Sequence, residues 1–531
     1  MLKTLLIYLP LSIIGLWRWT FWLIRVAGAR MYRPRYTRWP HGKAKLSVSV
    51  VTPVYNEDEK LFKMAVDSWI NNGVNEIIAV IDKANKKLIT DFHRRYGKVP
   101  QVKTKLIVTP KKGKRAALCD GIMHAKGDII VLADSDTIWD KDVVRNTLPH
   151  FLDEGIGGAT VTQRISNPHT LSNVLFDILL WTRYKEEVPF MLGLGRVFNT
   201  LSGRTAFYRR EALLNDEYDN LHDLRHEKFF RTRGVSGDDK RLTHLILEQG
   251  WHISFVNNAT VYTAGLNNMK SFLKQRLRWV RNSWRADLRA LKRGWVMQHP
   301  VLAIHMIDRF IQPFFMLLGP VAFVTAIIIQ QWPVAIILGL WWLISRLIRL
   351  FGYFRLYPRR LVYLPAYIIY SYINALTKIY ALATLLEQGW VTRWHKSRMK
   401  KHILRKVTTP MVGMAALVLL LTGLLNFVKQ VNVESGASLD IPPAVNAAEF
   451  SFDEQELVFI GIPTQPELPN GAVLPTEVKT YVIRPGDTIN SLSAKFGMSI
   501  PDIKRLNGIS DPDKISAGQT ILYYKNAGVS E

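Results

Sequence analysis

Five long apolar segments dominate the sequence and limit the folds that are open to it. They cover residues 5–27, 301–329, 332–350, 361–386 and 410–428. About 20 mainly apolar residues are enough for a helix to cross the hydrocarbon core of a bilayer. The sequence therefore predicts an α-helical membrane protein. It begins with an uncleaved anchor at residues 1–29, because no small-residue cleavage site follows the first segment.

Basic residues cluster beside the apolar segments. The formal net charge of +27 would suggest a nucleic-acid binder in a soluble protein. Here Lys and Arg flank hydrophobic runs, as in the cytoplasmic loops of membrane proteins. We therefore expect contact with the inner membrane surface and with anionic substrates, and no nucleic-acid partner. The single cysteine, Cys119, excludes an intrachain disulfide and is interpreted as a buried apolar side chain.

Two basic loops, RLYPRR and TRWHKSRMKKHILRK, indicate the membrane topology. Both should be cytoplasmic, yet a full crossing by the segment between them, 361–386, would place one of them outside. We interpret 361–386 as an interfacial or re-entrant segment with Asn374 and Lys378 facing protein. The last segment, 410–428, then exports the C-terminal region of the chain.

The region 430–478 has the composition of a linker. It contains six prolines and eight acidic residues without any Lys or Arg. Such a sequence favours an extended, solvated chain. The change from basic to acidic at Lys429 also indicates that the chain changes side of the membrane there.

Residues 46–265 have the pattern of an α/β domain. LSVSVVTP, EIIAVID and DIIVLAD are strand-like, and helix-like segments such as KRAALCDGIMHAK alternate with them. This alternation predicts a mainly parallel sheet with its ligand site beyond the carboxyl ends of the strands. Asp82, Asp134 and Asp136 stand at such strand ends.

Asp134 and Asp136, in LADSDT, are candidate metal ligands. Alternate residues of an extended chain point to the same side, so both carboxylates can face one metal–diphosphate site. Mg²⁺ and Mn²⁺ prefer hard oxygen ligands and bridge phosphates. The alternative is a solvated pair that caps the next helix, and the position after a buried strand favours the metal site.

Further polar groups follow the neighbouring strands. Tyr55 and Glu57, in VTPVYNED, come after the first strand, and Asp82 ends the second. Asp82 could accept hydrogen bonds from a nucleotide base or ribose. Lys114, in KKGKRAAL, could reach a diphosphate near a helix N-terminus, although a plain basic loop is the alternative.

Asp238 and Asp239, in GVSGDDKRLTHLIL, precede an apolar helix. One interpretation is an N-cap with a favourable helix-dipole contact. The other is a general base that takes a proton from an acceptor hydroxyl. The two are compatible, since one aspartate can cap while the other accepts the proton.

Residues 268–295 predict a basic interfacial helix. Gln275, Arg278 and Trp279, in KQRLRWVRNSW, share one face of it at spacings of three and four residues. Trp can stack on a sugar ring, and Arg can hold diphosphate oxygens. Simple anchoring of the helix at the membrane surface is the alternative.

VYNE, Asp82, DSD, GDD and QxxRW, in this order, resemble the signature of membrane-integrated family 2 glycosyltransferases. Within that family the motifs resemble those of hyaluronan synthases, with chitin synthases and the nodulation chitooligosaccharide synthases near them. The resemblance covers residues 46 to about 395. It implies a GT-A-type α/β domain, a UDP-sugar donor and an Mg²⁺ or Mn²⁺ cofactor. This chain departs from the pattern at Lys240, where Arg is usual, and at Lys83, where an acidic residue is usual.

The resemblance also implies roles for individual residues. Asp239 becomes the base, Asp82 contacts uridine, and Asp134 with Asp136 holds the metal. The remaining groups are Tyr55, Glu57, Lys114 and Arg278 for the nucleotide sugar, Gln275, Trp279, Ser202 and Gly203 for the acceptor and channel, and Trp390, Thr392 and Arg393 for a gating loop.

The C-terminal residues 479–524 resemble a LysM domain. The Gly-Asp-Thr segment, the central Asn507 and the final Gly518 and Gln519 carry the resemblance. It implies a βααβ module that binds glycans containing N-acetylglucosamine, such as peptidoglycan. A generic small α/β cap is the alternative.

Together these features predict a processive inverting glycosyltransferase of the bacterial inner membrane. Its transferase domain at 46–265 is cytoplasmic, its channel region covers 301–428, and its LysM domain is external. One alternative is non-processive transfer of a sugar to a lipid phosphate carrier. Another is a wall-anchored LysM protein with an inactive transferase domain.

Overall fold

The computed structural model describes two parts of the chain. The first part comprises residues 2–110, 113–215, 217–226, 228–229, 232–233, 237–328 and 330–385. The second, C-terminal part comprises residues 478–483, 487–497, 499–507, 509, 515 and 520–524.

A mixed β-sheet organises the first part. Its strands are β1 Val48–Val54, β2 Glu76–Asp82, β3 Lys103–Thr109, β4 Ile129–Ala133, β5 Thr137–Trp139, β6 Ile156–Ile165, β7 Thr205–Arg209 and β10 His252–Thr263. Two further strands, β8 Lys228–Phe229 and β9 Thr232–Arg233, form a separate small hairpin. Within the described residues the large sheet has the order β3-β2-β1-β4-β7-β6-β10-β5.

Strands β1 to β4 are parallel, as the sequence predicts, but β7 is antiparallel to both β4 and β6. Thr205 at the start of β7 pairs with Ala133 at the end of β4, so β7 begins where β4 ends and runs in the opposite direction. The sheet of this α/β domain is therefore mixed.

Helices cover both faces of this sheet. The first is α1 Leu2–Met31, and the others are α2 Glu59–Asn71, α3 Lys86–Tyr96, α4 Lys114–His124, α5 Val143–Thr147, α6 Leu171–Thr182, α7 Val188–Gly195, α8 Arg210–Leu213, α9 Asn220–His226 and α10 Asp238–Glu248. Val50 and Ile77 pack on one face with Trp69 of α2, whereas Val51 and Ile78 pack on the other. This alternation follows from the two-residue period of a strand. It makes both faces of the sheet apolar and leaves the strand ends for polar side chains.

Four helices follow the sheet: α11 Met269–Arg293, α12 Pro300–Ile328, α13 Trp332–Leu356 and α14 Leu364–Ala383. Of the described helices, α12 and α13 are long and apolar enough to cross a membrane. They coincide with the apolar segments at 301–329 and 332–350. Membrane crossing by residues 5–27, within α1, remains a prediction, and the segment 410–428 lies outside the described residues.

Both ends of α14 are attached to elements that precede α12. Just before α14, Arg360 donates to Asp177 of α6 at 2.8 Å. At its other end, Thr384 accepts from Nε and Nη2 of Arg281 of α11, at 2.9 and 2.7 Å. Lys378 donates to Gln312 at 2.7 Å, which confirms that its side chain faces protein.

The described C-terminal residues form a βααβ module, as predicted. Strands β11 Val478–Val482 and β12 Thr520–Tyr524 pair antiparallel around helices α15 Ile489–Phe496 and α16 Ile500–Asn507. Asn507 exchanges hydrogen bonds with the backbone of Leu522, at 2.8 and 2.5 Å. Its amide therefore joins the second helix to the last strand, while Gly518 and Gln519 lie outside the described residues.

Candidate active site

Lys114 joins two of the predicted carboxylate motifs. Its Nζ lies 2.6 Å from Oδ1 of Asp134 and 3.1 Å from Oδ2 of Asp238. Although burial opposes ionisation, these carboxylates raise the pKa of Lys114 above its ordinary value. The start of α4, the end of β4 and the start of α10 thus meet at one point.

The DSD turn carries a concentration of negative charge. Ser135 donates to Glu57 at 2.8 Å, which brings the loop after β1 beside the loop after β4. Burial, with the like charges of Asp134 and Glu57, raises the pKa of Asp136 to about 7. A bound cation would relieve this repulsion.

The donor set fits a divalent cation that is shared with a substrate. Among the described residues no three His, Cys, Asp or Glu side chains form a complete metal-binding cluster. Mg²⁺ characteristically takes one or two carboxylates and completes its octahedron with waters and substrate phosphates. Asp134 and Asp136, which both line the cavity described below, can supply that pair.

Asp238 and Asp239 occupy the first turn of α10, and Gly237 is the N-cap residue. The interpretation of either aspartate as the N-cap residue is therefore wrong, although both lie at the favourable end of the helix dipole. Oδ1 of Asp239 accepts from its neighbour Lys240 N at 2.8 Å, and Oδ2 accepts from Gly203 N at 3.4 Å.

The two aspartates titrate differently. Burial and the neighbouring Asp238 raise the pKa of Asp239. Although burial works in the other direction, Lys114 and Arg115 hold the pKa of Asp238 below its ordinary value. A proton acceptor is more effective when its pKa lies closer to the working pH, which favours Asp239 as the base.

Gly203 allows the close approach of these groups. A Cβ at this position would lie 3.2 Å from Lys114 Nζ and 3.4 Å from the Asp239 Cβ. Ser202 and Gly203, predicted in the acceptor site, therefore lie beside the candidate base.

Trp279 offers an aromatic surface, the candidate acceptor platform, in the same cavity as the carboxylates. Its ring lies 5.5 Å from the ring of Phe176, and the guanidinium of Arg204 stands 5.3 Å from its centroid. Gln275, Arg278 and Trp279 all line the same cavity as Asp134 and Asp239. The helical spacing had predicted that they share a face.

The cavity measures about 1590 Å³ and continues from the carboxylates to the helices that follow the sheet. Trp19 of α1, Trp341 and Trp342 of α13, and Tyr372 of α14 also line it. Typical small-molecule pockets measure about 300–1,000 Å³, so this cavity exceeds what one nucleotide sugar needs.

Some predicted residues lie apart from the cavity. Asp82, at the end of β2, accepts from Ala84 N at 2.8 Å, and neither it nor Tyr55 lines the cavity. Trp390, Thr392 and Arg393, of the predicted gating loop, lie outside the described residues.

Other cavity residues were not predicted from the sequence. Arg204 follows directly on Ser202 and Gly203, yet its contact with Trp279 depends on the tertiary fold. Arg18 and Arg25 also line the cavity. Both interrupt an apolar segment, and this feature of the sequence could have identified them as cavity residues. Charged residues within such segments usually face a protein interior.

Comparisons with known proteins agree with this geometry. The family described as "Glycosyltransferase like family 2" matches residues 45–282, and "LysM domain" matches residues 481–522. An N-acetylglucosaminyltransferase of Mesorhizobium japonicum is 28% identical over 372 residues, which cover 67% of this chain and 83% of that protein. One of Sinorhizobium fredii is 32% identical over 253 residues, which cover 46% of this chain and 59% of that protein.

A solved structure is also similar, a mannosyltransferase of Pyrobaculum calidifontis in complex with GDP-Man and Mn²⁺. The two structures superpose with a TM-score of 0.48 at 18% sequence identity. The match covers 70% of this chain and 99% of that chain.

Proposed function

We propose that this chain, a glycosyltransferase with a family 2 domain and a LysM domain, polymerises a UDP-sugar and passes the product across the bacterial inner membrane. The single cavity that is lined by Asp239, Trp279, Trp341 and Trp342 carries this proposal. Its volume can hold several sugar units beside the donor, as processive synthesis requires.

The site residues suit a single displacement with inversion. Asp239 accepts the proton of the acceptor hydroxyl as the new glycosidic bond forms, and the nucleotide diphosphate leaves on the other side of the sugar. Asp134 and Asp136 would hold Mg²⁺ or Mn²⁺ with the diphosphate. A cation bound there would neutralise the charge of the leaving group. Lys114 and Arg278 supply further cationic donors for the diphosphate oxygens.

N-acetylglucosamine is the donor sugar that we propose to test first. The similar rhizobial proteins are named N-acetylglucosaminyltransferases, and LysM modules are glycan binders in the resemblance given above. The LysM domain would then hold wall glycan or the emerging polymer outside the membrane.

The attachment of α14 supports the proposed topology. Arg360 before the helix is bound to Asp177, and Thr384 after it is bound to Arg281. Because α6 belongs to the transferase domain and α11 follows that domain directly, both ends of α14 lie on the same side of the membrane as the transferase domain. We therefore propose that α14 lies along the cytoplasmic face and that the chain crosses later, at 410–428.

Purified protein with Mg²⁺ or Mn²⁺ tests the function. Nucleotide sugars are supplied singly and in pairs, and both UDP release and product length are measured, with Asp239→Asn as the inactive control. We expect long polymer from UDP-N-acetylglucosamine, alone or with one partner sugar. Single-sugar transfer to a lipid phosphate would overturn processivity, and no nucleotide release with any donor would overturn the activity.

A further inference from the structure

Lys240, the residue after the candidate base, is buried and ion-paired. Its side chain is 5% exposed, and its Nζ lies 2.5 Å from Oδ1 of Asp287, which is fully buried. The same Nζ donates to Ser283 Oγ at 2.7 Å. Lys240 belongs to α10 and both partners belong to α11, so this cluster attaches the base-carrying helix to α11.

The cluster extends to a third helix. Arg309 of α12 donates to Ser283 Oγ at 2.9 Å, and its Nη1 lies 3.9 Å from Oδ2 of Asp287. Ser283 stands one helical turn after Trp279 on α11. The candidate base, the candidate acceptor platform and the start of the apolar helices are thus connected through one serine and one carboxylate.

The pair is sensitive to the loss of either partner. Removing one partner of a buried ion pair leaves an uncompensated charge, which is far more costly than the pair itself.

The charged and titratable groups that face Lys240 are Asp287 of α11, Arg309 of α12, and Asp239 and His244 of its own helix. Burial lowers the pKa of His244 to about 3, so this imidazole is neutral.

We infer that Lys240 is a positioning residue for the transfer reaction. Its ion pair with Asp287 fixes the distance between the base, Asp239, and the acceptor platform, Trp279. The inference rests on the proposed function, because it takes Asp239 as the base and Trp279 as the acceptor contact. Turnover should depend on a charged side chain at position 240, although that side chain does not touch the substrate.

A consequence for pH follows from the burial of Lys240. Burial lowers its pKa to about 8, against the opposing effect of Asp287. Below that pH the ammonium is present and the pair is intact. As the pH rises through the pKa the proton leaves, the pair with Asp287 is lost, and turnover should fall.

Lys240→Arg and Lys240→Met in the full-length protein test the inference. Arg keeps its charge at alkaline pH, so Lys240→Arg should keep activity at neutral pH and move the alkaline fall upward by at least about one pH unit. Lys240→Met should reduce turnover on the order of 10²-fold, as expected for a misplacement of about 1 Å. Lys87→Met is the matched control, since Lys87 is exposed and pairs with Glu59 at the surface.

The readouts are UDP release, the KM of an added oligosaccharide acceptor, product length and the thermal unfolding midpoint. We expect a higher acceptor KM and shorter products for Lys240→Met. An unchanged alkaline fall in Lys240→Arg, or wild-type turnover and acceptor KM in Lys240→Met, overturns the inference. Should Lys240→Met fail to fold, the pH profile of Lys240→Arg decides. Full activity of Asp239→Asn would instead overturn the assignment of the base in the proposed function.

Discussion

The ammonium group of Lys114 lies 2.6 Å from Oδ1 of Asp134, so a side chain of α4 neutralises the carboxylate at the end of β4. A divalent cation held by Asp134 would bind the same carboxylate and carries the same sign of charge. Lys114 and the metal would therefore compete for Asp134 in the protein without donor. A bound diphosphate would give Lys114 a new anionic partner and so relieve the competition.

Lys114→Met should separate these two effects. In the absence of donor, removal of the competing ammonium should strengthen Mn²⁺ binding about tenfold, which corresponds to about 1.4 kcal/mol. Turnover should fall, because the diphosphate loses a cationic partner. Titration calorimetry with Mn²⁺ and a UDP-release assay measure the two quantities. Weaker or unchanged Mn²⁺ binding would show that Lys114 does not compete with the metal.

Asp136→Ala should abolish UDP release. The remaining Asp134 would hold the cation alone, and the diphosphate would leave without charge compensation. Asp91→Ala is the control, since Asp91 pairs with Arg94 on α3 and does not line the cavity. Wild-type turnover by Asp136→Ala with the metal chelated would remove the metal role from the DSD turn.

Asp239→Asn should lower turnover by about 10²–10⁴-fold, the contribution that positioned acid–base groups typically make. The amide keeps the size of the side chain but cannot accept the proton, so donor binding should be retained. Asp238→Asn should be milder. The reverse order of severity would assign the base to Asp238.

The acid side of the pH profile should report on the same pair. Burial and Asp238 raise the pKa of Asp239, so the base becomes protonated, and turnover falls, at a higher pH than for an ordinary aspartate. In Asp238→Asn the like charge is gone, so the pKa of Asp239 falls and the acid limb should move to lower pH. Initial rates across the acid range measure this shift. A shift to higher pH would contradict the electrostatic account.

Short-range patterns predicted much of this site. Asp134 follows a buried strand, and Asp239 lies in the first turn of an apolar helix, so local spacing was enough to single them out. Lys240 with Asp287, and Arg204 with Trp279, are contacts between distant parts of the chain. Their pairing depends on how α10, α11 and β7 pack, which no single-sequence pattern specifies. The antiparallel course of β7 was missed for the same reason, because its direction depends on where the intervening helices return the chain.

Cysteine labelling in intact cells tests the topology, in a Cys119→Ser background. Arg360 is bound to Asp177, and Tyr353 near the end of α13 donates to the same carboxylate at 3.0 Å. The turn between α12 and α13 lies at the opposite end of α13, so Gln331 in this turn should face outward. Ser397 and Ser451 lie outside the described residues, and the sequence predicts them to be cytoplasmic and external, respectively.

Because α14 is attached to α6 and α11 at both ends, the chain should still be cytoplasmic at position 397 and cross only afterwards. An impermeant thiol reagent should therefore label Gln331→Cys and Ser451→Cys but not Ser397→Cys. Permeabilised cells, in which all three should react, control for accessibility. Two results would overturn the interfacial α14 and, with it, the external LysM domain. One is labelling at position 397 in intact cells, and the other is protection at position 451 in intact cells but not in permeabilised cells.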